Sequence, residues 1–451
     1  DADGLDVTNN PENLQKIVDS LDKVDDDEKD ITEEDLTNIG VTVPDGVAID
    51  AINNVIKDPD TDVTDTSDVQ EVVDALDKLN KAEENAPSDL TAEDLAVLGV
   101  TDPDEGGFTD EEVAAVNEAI DADGLDVTNN PENLQKIVNS LDKVDDDEKD
   151  VTEEDLTNIG VTVPAGVEID AINEVIKDPN TNVDDTSEVQ AIADALEKLN
   201  SAEENPLDTV DASDLSTLGI TGTDGLTDEE VDAINEAINE NGLDVTNNPS
   251  NLQEIVDSLE DVVSGSVDTT DLTNIGIEIP AGLTLEAINT VLQDADTNVD
   301  DPSEVQAVVD AIHKMNEGER LDNSDLDADD LKTLGITNSA GEFITDADEI
   351  AAINEAVNAD GLDVTNSPQN LQTLALGGIV EALERLRAGE LEEGDFAILG
   401  ANKPDGVSLE AVNKVLKDPD TDVDDTSELQ EVLNALDKLN KAEANVADTV
   451  D

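Results

Sequence analysis

The chain has 451 residues, with 21 Lys plus Arg against 118 Asp plus Glu, and a formal net charge of -97. With no basic stripe to release counter-ions from phosphate, nucleic acid and anionic membrane are poor partners. No apolar run approaches the roughly 20 residues of a membrane span, so membrane insertion is not expected. Cysteine, Trp and Tyr are absent, and the only aromatic rings are those of Phe108, Phe343 and Phe396. Disulfides and zinc-thiolate sites are thereby excluded, and any core must be thin and built from Val, Ile, Leu and Ala.

The opening segment Asp1-Ala2-Asp3-Gly4-Leu5-Asp6-Val7-Thr8-Asn9-Asn10 returns unchanged at 121–130, and with drift from Asn239 and from Asn358. Repeats therefore run 1–120, 121–238, 239–357 and, incompletely, 358–451. A chain of near-copies offers the same surface at intervals, which suits a spacer or multivalent binder better than an enzyme with one cleft.

In chain order, the first helix is expected from Pro11, with Asn10 as its N-cap. Leu14, Ile17, Val18, Leu21 and Val24 form its apolar stripe. Thr32-Glu33-Glu34-Asp35 resembles a capping box opening a short helix that Gly40 ends. Ile49, Ile52, Val55 and Ile56 mark a third helix. The pattern then echoes itself: Val69 to Leu76 repeats Leu14 to Leu21, Leu95 to Thr101 repeats Leu36 to Thr42, and Ala115 to Ile120 repeats Ala51 to Ile56. The expected fold is all-α, a tandem array of roughly 60-residue three-helix half-repeats. Counted from Ile31, the chain closes on a complete half-repeat, so it is expected to be a slice of a longer array.

Two alternating loops carry candidate metal ligands. One follows the third helix, as Asp58, Asp60 and Asp62, then Asp178, Asn180 and Asn182, then Asp294, Asp296 and Asn298, then Asp418, Asp420 and Asp422. Oxygens at positions 1, 3 and 5 of a loop leaving a helix form the first half of an EF-hand-like calcium site. The pattern departs from the full loop, since Val63 stands where glycine is usual. The competing reading is a solvated turn. Just downstream, Asp65 with Asp68, Asp185 with Glu188, Asp301 with Glu304 and Asp425 with Glu428 are spaced as capping boxes rather than primary ligands.

The other loop holds Asp1, Asp3 and Asp6, then Asp121, Asp123 and Asp126, then Asn239, Asn241 and Asp244, then Asn358, Asp360 and Asp363. Here an Asx-rich turn competes evenly with a calcium loop. A third class, Asp102 with Asp104 and Asp224 with Asp228, is too irregular to assign. Eight filled loops would add about +16 at two charges per calcium, leaving roughly -81 for ambient salt to screen.

No constellation suggests catalysis. The lone histidine, His313, aligns with Asp77 on a polar helix side, and Met315 aligns with core Leu79. The fourth repeat departs from the others, with an apparent insertion near Thr373 to Gly378 followed by Arg385 and Arg387. Drift explains it, and a local docking surface is the alternative.

At Asp35 to Thr42, Ala51 to Ile56 and Asp65 to Leu76 the chain resembles the acidic helical tandem repeats of giant secreted bacterial surface proteins and adhesins. In these, "LxxLGVT", "AVNxAI" and "DTxxELQxVVDA" recur. The resemblance implies an extracellular, non-enzymatic extender region, often in proteins needing calcium, and supplies no functional residues. The expectation is a calcium-stabilised stalk on a bacterial cell surface, partnered by neighbouring repeats or by other copies of itself. A self-assembling filament or surface-layer subunit is one alternative. A calcium-buffering or halophilic acidic protein is the other.

Overall fold

The computed structural model describes the chain except for residues 1–3, 9, 27, 85–86, 105, 147, 224, 240–241, 295–296, 298, 322–323, 339–340, 359–362, 376–379, 419–420, 422, 424–425 and 448–451. The described residues form helices, and their one β interaction is an isolated antiparallel bridge between Thr337 and Phe343. Two compact units divide the chain, residues 1–224 with 245–249 and residues 225–244 with 250–451.

The first unit holds α1 (Pro11–Val24), α2 (Glu33–Ile39), α3 (Ile49–Ile56), α4 (Thr66–Glu84), α5 (Ala92–Val97) and α6 (Asp110–Asp121). It continues through α7 (Pro131–Asp145), α8 (Glu153–Asn158), α9 (Ile169–Ile176), α10 (Thr186–Glu204) and α11 (Ala212–Thr217). The second holds α12 (Asp228–Asn239), nearly all of α13 (Pro249–Ser264), α14 (Thr269–Asn274), α15 (Leu285–Leu292), α16 (Pro302–Leu321) and α17 (Ala328–Thr333). It ends with α18 (Ala347–Asn358), α19 (Pro368–Leu374), α20 (Val380–Ala388), α21 (Asp395–Ile398), α22 (Leu409–Leu416) and α23 (Thr426–Ala447).

Local chemistry fixes the ends of these helices. Asn10 caps α1 by accepting from the Asn13 N–H, and Thr32 and Asp35 form the reciprocal capping box of α2. Gly40 closes α2 at φ +83°, a left-handed cap that costs a residue with Cβ about 1–2 kcal/mol. The stripes then pack. Leu134, Ile137, Val138, Leu141 and Val144 of α7 are all buried, against α6 and α8 among others. The equivalent stripe of α1 is more open, with Leu14 53% exposed against 0% for Leu134.

Side-chain amides close the gaps between helices. Asn53 Oδ1 accepts from the Ile31 N–H at 2.6 Å, and its Nδ2 donates to the Ile31 carbonyl at 2.9 Å. Asn173 does the same for Val151, Asn117 for Leu90, Asn354 for Leu326 and Asn413 for Leu391. Gln70 brackets the backbone of Thr42 in the same two-way manner, as do Gln135 with Thr101, Gln190 with Thr162 and Gln372 with Thr337. The asparagine pairings satisfy buried or half-buried N–H and C=O groups that would otherwise cost about 1–3 kcal/mol each, whereas the Gln70, Gln135 and Gln190 brackets lie at the surface.

A third device spans distant segments. Asn129, at φ +54°, accepts from the Ala48 N–H at 2.8 Å and donates through Nδ2 to the Gly46 carbonyl at 2.9 Å. Its own N–H donates to Asn80 Oδ1 at 2.8 Å. Asn247 makes the same clamp with Glu168, Gly166 and Asn200, and Asn366 with Thr284, Gly282 and Asn316. Each clamp lies inside one compact unit.

Replacing Asn129 by Ala removes the side-chain bonds and leaves a Cβ residue in left-handed backbone. The expected loss is about 2 kcal/mol in urea unfolding followed by circular dichroism, and Asn129→Gly, which keeps the backbone freedom, should lose less.

Candidate metal centres

The sequence points to the Asp58 loop as a ligand set. In the structure Asp58 Oδ1 accepts from the Asp60 N–H at 2.9 Å, and Thr61 Oγ1 donates to the carbonyls of Val55 and Asp58. A Cβ on Gly99 would lie 3.4 Å from the Asp58 carboxyl carbon, so this acid is held between its own turn and the next loop. Asp60 and Asp62 are exposed. The second copy repeats the turn: Asp178 Oδ1 takes the Asn180 N–H, Thr181 bonds back to Val175, and Asn182 Nδ2 reaches Asp184 at 3.4 Å. Asp294 and Asp418 are bonded by the same Thr N–H, from Thr297 and Thr421. Asp296, Asn298, Asp420 and Asp422 lie outside the described residues.

The glycine-containing loop serves as a packing turn. A Cβ on Gly124 would sit 2.5 Å from the Asn158 carbonyl, which also accepts from the Leu125 N–H at 3.1 Å. Asp121 Oδ1 accepts from the Ser88 N–H, Asp123 takes φ +54°, and Asp126 Oδ1 accepts from the Thr128 N–H. Asp6 and Asp363 make the same bond to Thr8 and Thr365. The Asp244 carbonyl accepts from Asn251, and Asn239 Nδ2 donates to the Asn235 carbonyl. Asn358 ends α18. Asp1, Asp3, Asn241 and Asp360 lie outside the described residues.

Among the described residues, three other groups bring three carboxylates within 4.8 Å of one another: Asp102, Asp104 and Glu112; Asp184, Asp185 and Glu188; and Asp300, Asp301 and Glu304. The last two are helix caps with one more acid ahead of them. Asp185 Oδ1 accepts from the Glu188 N–H at 2.9 Å, while the Asp184 N–H donates to Glu188 Oε2. In the first copy Thr64 replaces that extra acid, and its hydroxyl donates to Asp68. Burial first, then Asp185 and Asp184, push the Glu188 carboxyl up, and Glu304 is pushed up likewise by burial, Asp301, Asp300 and Glu236.

The Asp102 group opens on a cleft of about 260 Å³. Asp102 Oδ1 accepts from the Asp104 N–H and Oδ2 from the Gly106 N–H, while Glu112 closes a capping box with Thr109. Asp142 and Asp145 of α7 and Asp184, just ahead of α10, complete the acidic lining, and Phe108, Val138 and Leu141 supply apolar wall. Lys149 Nζ reaches Asp142 at 2.9 Å. Asp145 is pushed above the usual carboxylate range by desolvation at the cleft wall and then by Asp184, Asp104, Glu112 and Asp142. Asp102, Asp104 and Glu112 form the close group of hard oxygen donors that a divalent cation could use, and Asp142, Asp145 and Asp184 line the same cleft.

The fourth repeat's arginine is committed internally. Where α1, α7 and α13 are single helices, α19 and α20 are two, with residues 376–379 between them outside those described. Arg385 forms a two-pronged bridge to buried Asp395, at 2.9 Å and 2.6 Å, so it is part of the packing. Met315 is buried and His313 half-buried.

No family model, curated protein or solved structure matches the chain.

Asp145→Asn removes one of the mutually repelling charges in this cleft. The expected outcome in chelator is a higher melting temperature than the parent, and in millimolar calcium a smaller gain from the cation. Calcium-dependent melting of both proteins checks it.

Proposed function

We propose that the chain is a structural spacer region of a bacterial cell-surface protein, stiffened by calcium at acidic loops and clefts, and without catalytic activity. Each stretch of roughly 60 residues acts as one three-helix half-repeat whose bonding is copied along the chain. The observation that carries the reading is the recurrence of one hydrogen-bonded clamp, that of Asn129, Asn247 and Asn366, across successive repeats. Tension along such a chain would fall on the same hydrogen bonds at each step, and the Asn clamp resists it without needing a particular charge state. The resemblance to extender repeats of secreted surface proteins agrees with this.

Calcium enters through linkage. A cation that binds only the ordered loops stabilises them by RT ln(1 + [Ca]/Kd), about 2.7 kcal/mol at a hundred times Kd. The Asp102 cleft supports this part of the reading, because its carboxylates crowd together with one ammonium among them. Millimolar calcium outside a cell would stiffen the spacer, and cytoplasmic scarcity would leave it pliable.

Calcium titrated into chelator-treated protein at fixed ionic strength should give a saturable rise in helicity and melting temperature that magnesium and sodium do not reproduce. Small-angle scattering should show a longer, stiffer particle at saturation. A response matched by sodium chloride of equal ionic strength would remove calcium from the mechanism and leave a salt-solvated acidic protein.

A further inference from the structure

One polar contact recurs at the step from each longer helix to the short helix after it. Lys23 reaches Asp35 at 2.6 Å, Lys78 reaches Asp94 at 2.8 Å, Lys143 reaches Asp155 at 2.8 Å, Lys198 reaches Asp214 at 2.6 Å and Lys314 reaches Asp330 at 2.6 Å. Arg385 and Asp395 make the same contact. The acid is always the third residue of the short helix or its equivalent, where it also accepts from the N-cap N–H.

At the step from α13 to α14 the acid is retained as Asp271, but the residue aligned with Lys143 is Asp261. The next lysine position fails too, since Glu254 stands where Lys16 and Lys136 stand in the first two repeats. Between Lys198 and Lys314 the sequence contains no Lys or Arg at all. Elsewhere in this repeat a lost lysine is matched by a lost acid: the Lys57–Asp30 and Lys177–Asp150 bridges become a neutral bond from Gln293 Nε2 to the Gly265 carbonyl, with Ser266 in the acid's place. At the α13–α14 step Asp271 keeps its place while its lysine is lost.

The geometry registers the difference. Ser20 and Ser140 donate to Asp35 and Asp155 at 3.0 Å and 3.1 Å, but Ser258 stands 3.5 Å from Asp271 and donates at 2.7 Å to the Glu254 carbonyl instead. Asp35 and Asp155 are buried, whereas Asp271 is half-buried. Asp261 Oδ1 accepts from Ser266 Oγ at 3.1 Å.

We propose that the α13–α14 step is an acid-responsive joint, in which a proton on the Asp271 carboxyl takes the place of the Lys or Arg that closes the other six steps. The groups acting on Asp271 are Asp261 from α13 and Asp268 at its own N-cap, with the Ser258 hydroxyl 3.5 Å away and the Asp268 N–H donating at 2.6 Å. Burial, Asp268 and Asp261 raise the Asp271 carboxyl, whereas burial at Asp35 is outweighed by Lys23, Thr32 and Ser20, which hold it at about 2. The signs therefore oppose. A raised acid contributes stability that is full below its unfolded value, roughly 3.9, and lost as pH rises through the folded value. A lowered acid contributes stability that is full above roughly 3.9 and lost as pH falls towards its folded value. Mild acidification should tighten this joint before it loosens the steps closed at Asp35, Asp94 and Asp155.

The test is amide hydrogen exchange on the full chain, corrected for intrinsic rates, comparing peptides spanning 253–276 with those spanning 135–160 between pH 7 and pH 4. Protection of 253–276 relative to 135–160 should rise as pH falls. Asp261→Lys should raise protection of 253–276 at pH 7 by roughly three- to tenfold, the scale of up to one unit of pKa, and abolish the pH response. Asp261→Asn keeps the size of the side chain and should give a smaller change of the same sign, and Asp271→Asn should remove the response without a lysine. If both segments respond alike, or if Asp261→Lys and Asp261→Asn leave protection at pH 7 unchanged, the proposal is overturned.

Discussion

The short helices and loops of this protein leave many backbone groups without helical partners, and a core whose aromatic ring is that of Phe396 among the described residues has little apolar bulk to spare for burying them. Neutral amides resolve that constraint. Asn53 and its counterparts each take both backbone groups of one residue on a neighbouring segment, and Gln70, Gln135, Gln190 and Gln372 do so for Thr42, Thr101, Thr162 and Thr337. Without these bonds the loops could not be drawn against the aliphatic stripes, since each unpaired buried group costs about as much as one small side chain gains on burial. Helix position, core closure and the clamps all follow from that pairing.

Charge is arranged around this neutral frame. Most of the basic side chains that form ion pairs close a step between helices or hold a loop acid, as Lys143 does with Asp155 and Lys149 does with Asp142. The acids they do not reach gather at helix N-termini, where the dipole and the free N–H groups favour them, and at the Asp102 cleft. Crowding there is a standing cost in a chain of charge -97, which a bound cation or proton would relieve.

The helices and their caps were legible in the sequence because capping and amphipathic periodicity are local. Asn10, Thr32 and Gly40 do what their positions imply. The acids spaced as caps, Asp185 with Glu188 and Asp301 with Glu304, are caps, yet Asp184 and Asp300 join them into tighter groups than the Asp58 loop makes. Alternating Asp and Asn reads as a ligand pattern, but the same alternation builds turns in which carboxylates bind the chain's own N–H groups. The Asp102 cleft was missed because Asp142, Asp145 and Asp184 arrive from separate segments. Asn53 and Asn129 carry no sequence signal of their role. An Asn on a helix looks like surface, and only its distance partners reveal a bracket. The one available cue was that Asn and Gln recur at fixed places in every copy.

A joint built from primary amides also carries a clock. Asn366 precedes Ser367 and Asn129 precedes Asn130, so each clamp amide is open in principle to attack by the following peptide nitrogen, which converts it to aspartate or isoaspartate. The hydrogen bonds that hold the side chain to Gly46 or Gly282 also hold it away from that reaction, so an intact clamp protects itself. Once one amide is lost, a carboxylate would face a carbonyl oxygen, and repair would require a newly made chain. Durability of the clamps is thus chemical as well as mechanical, and their ageing would be irreversible.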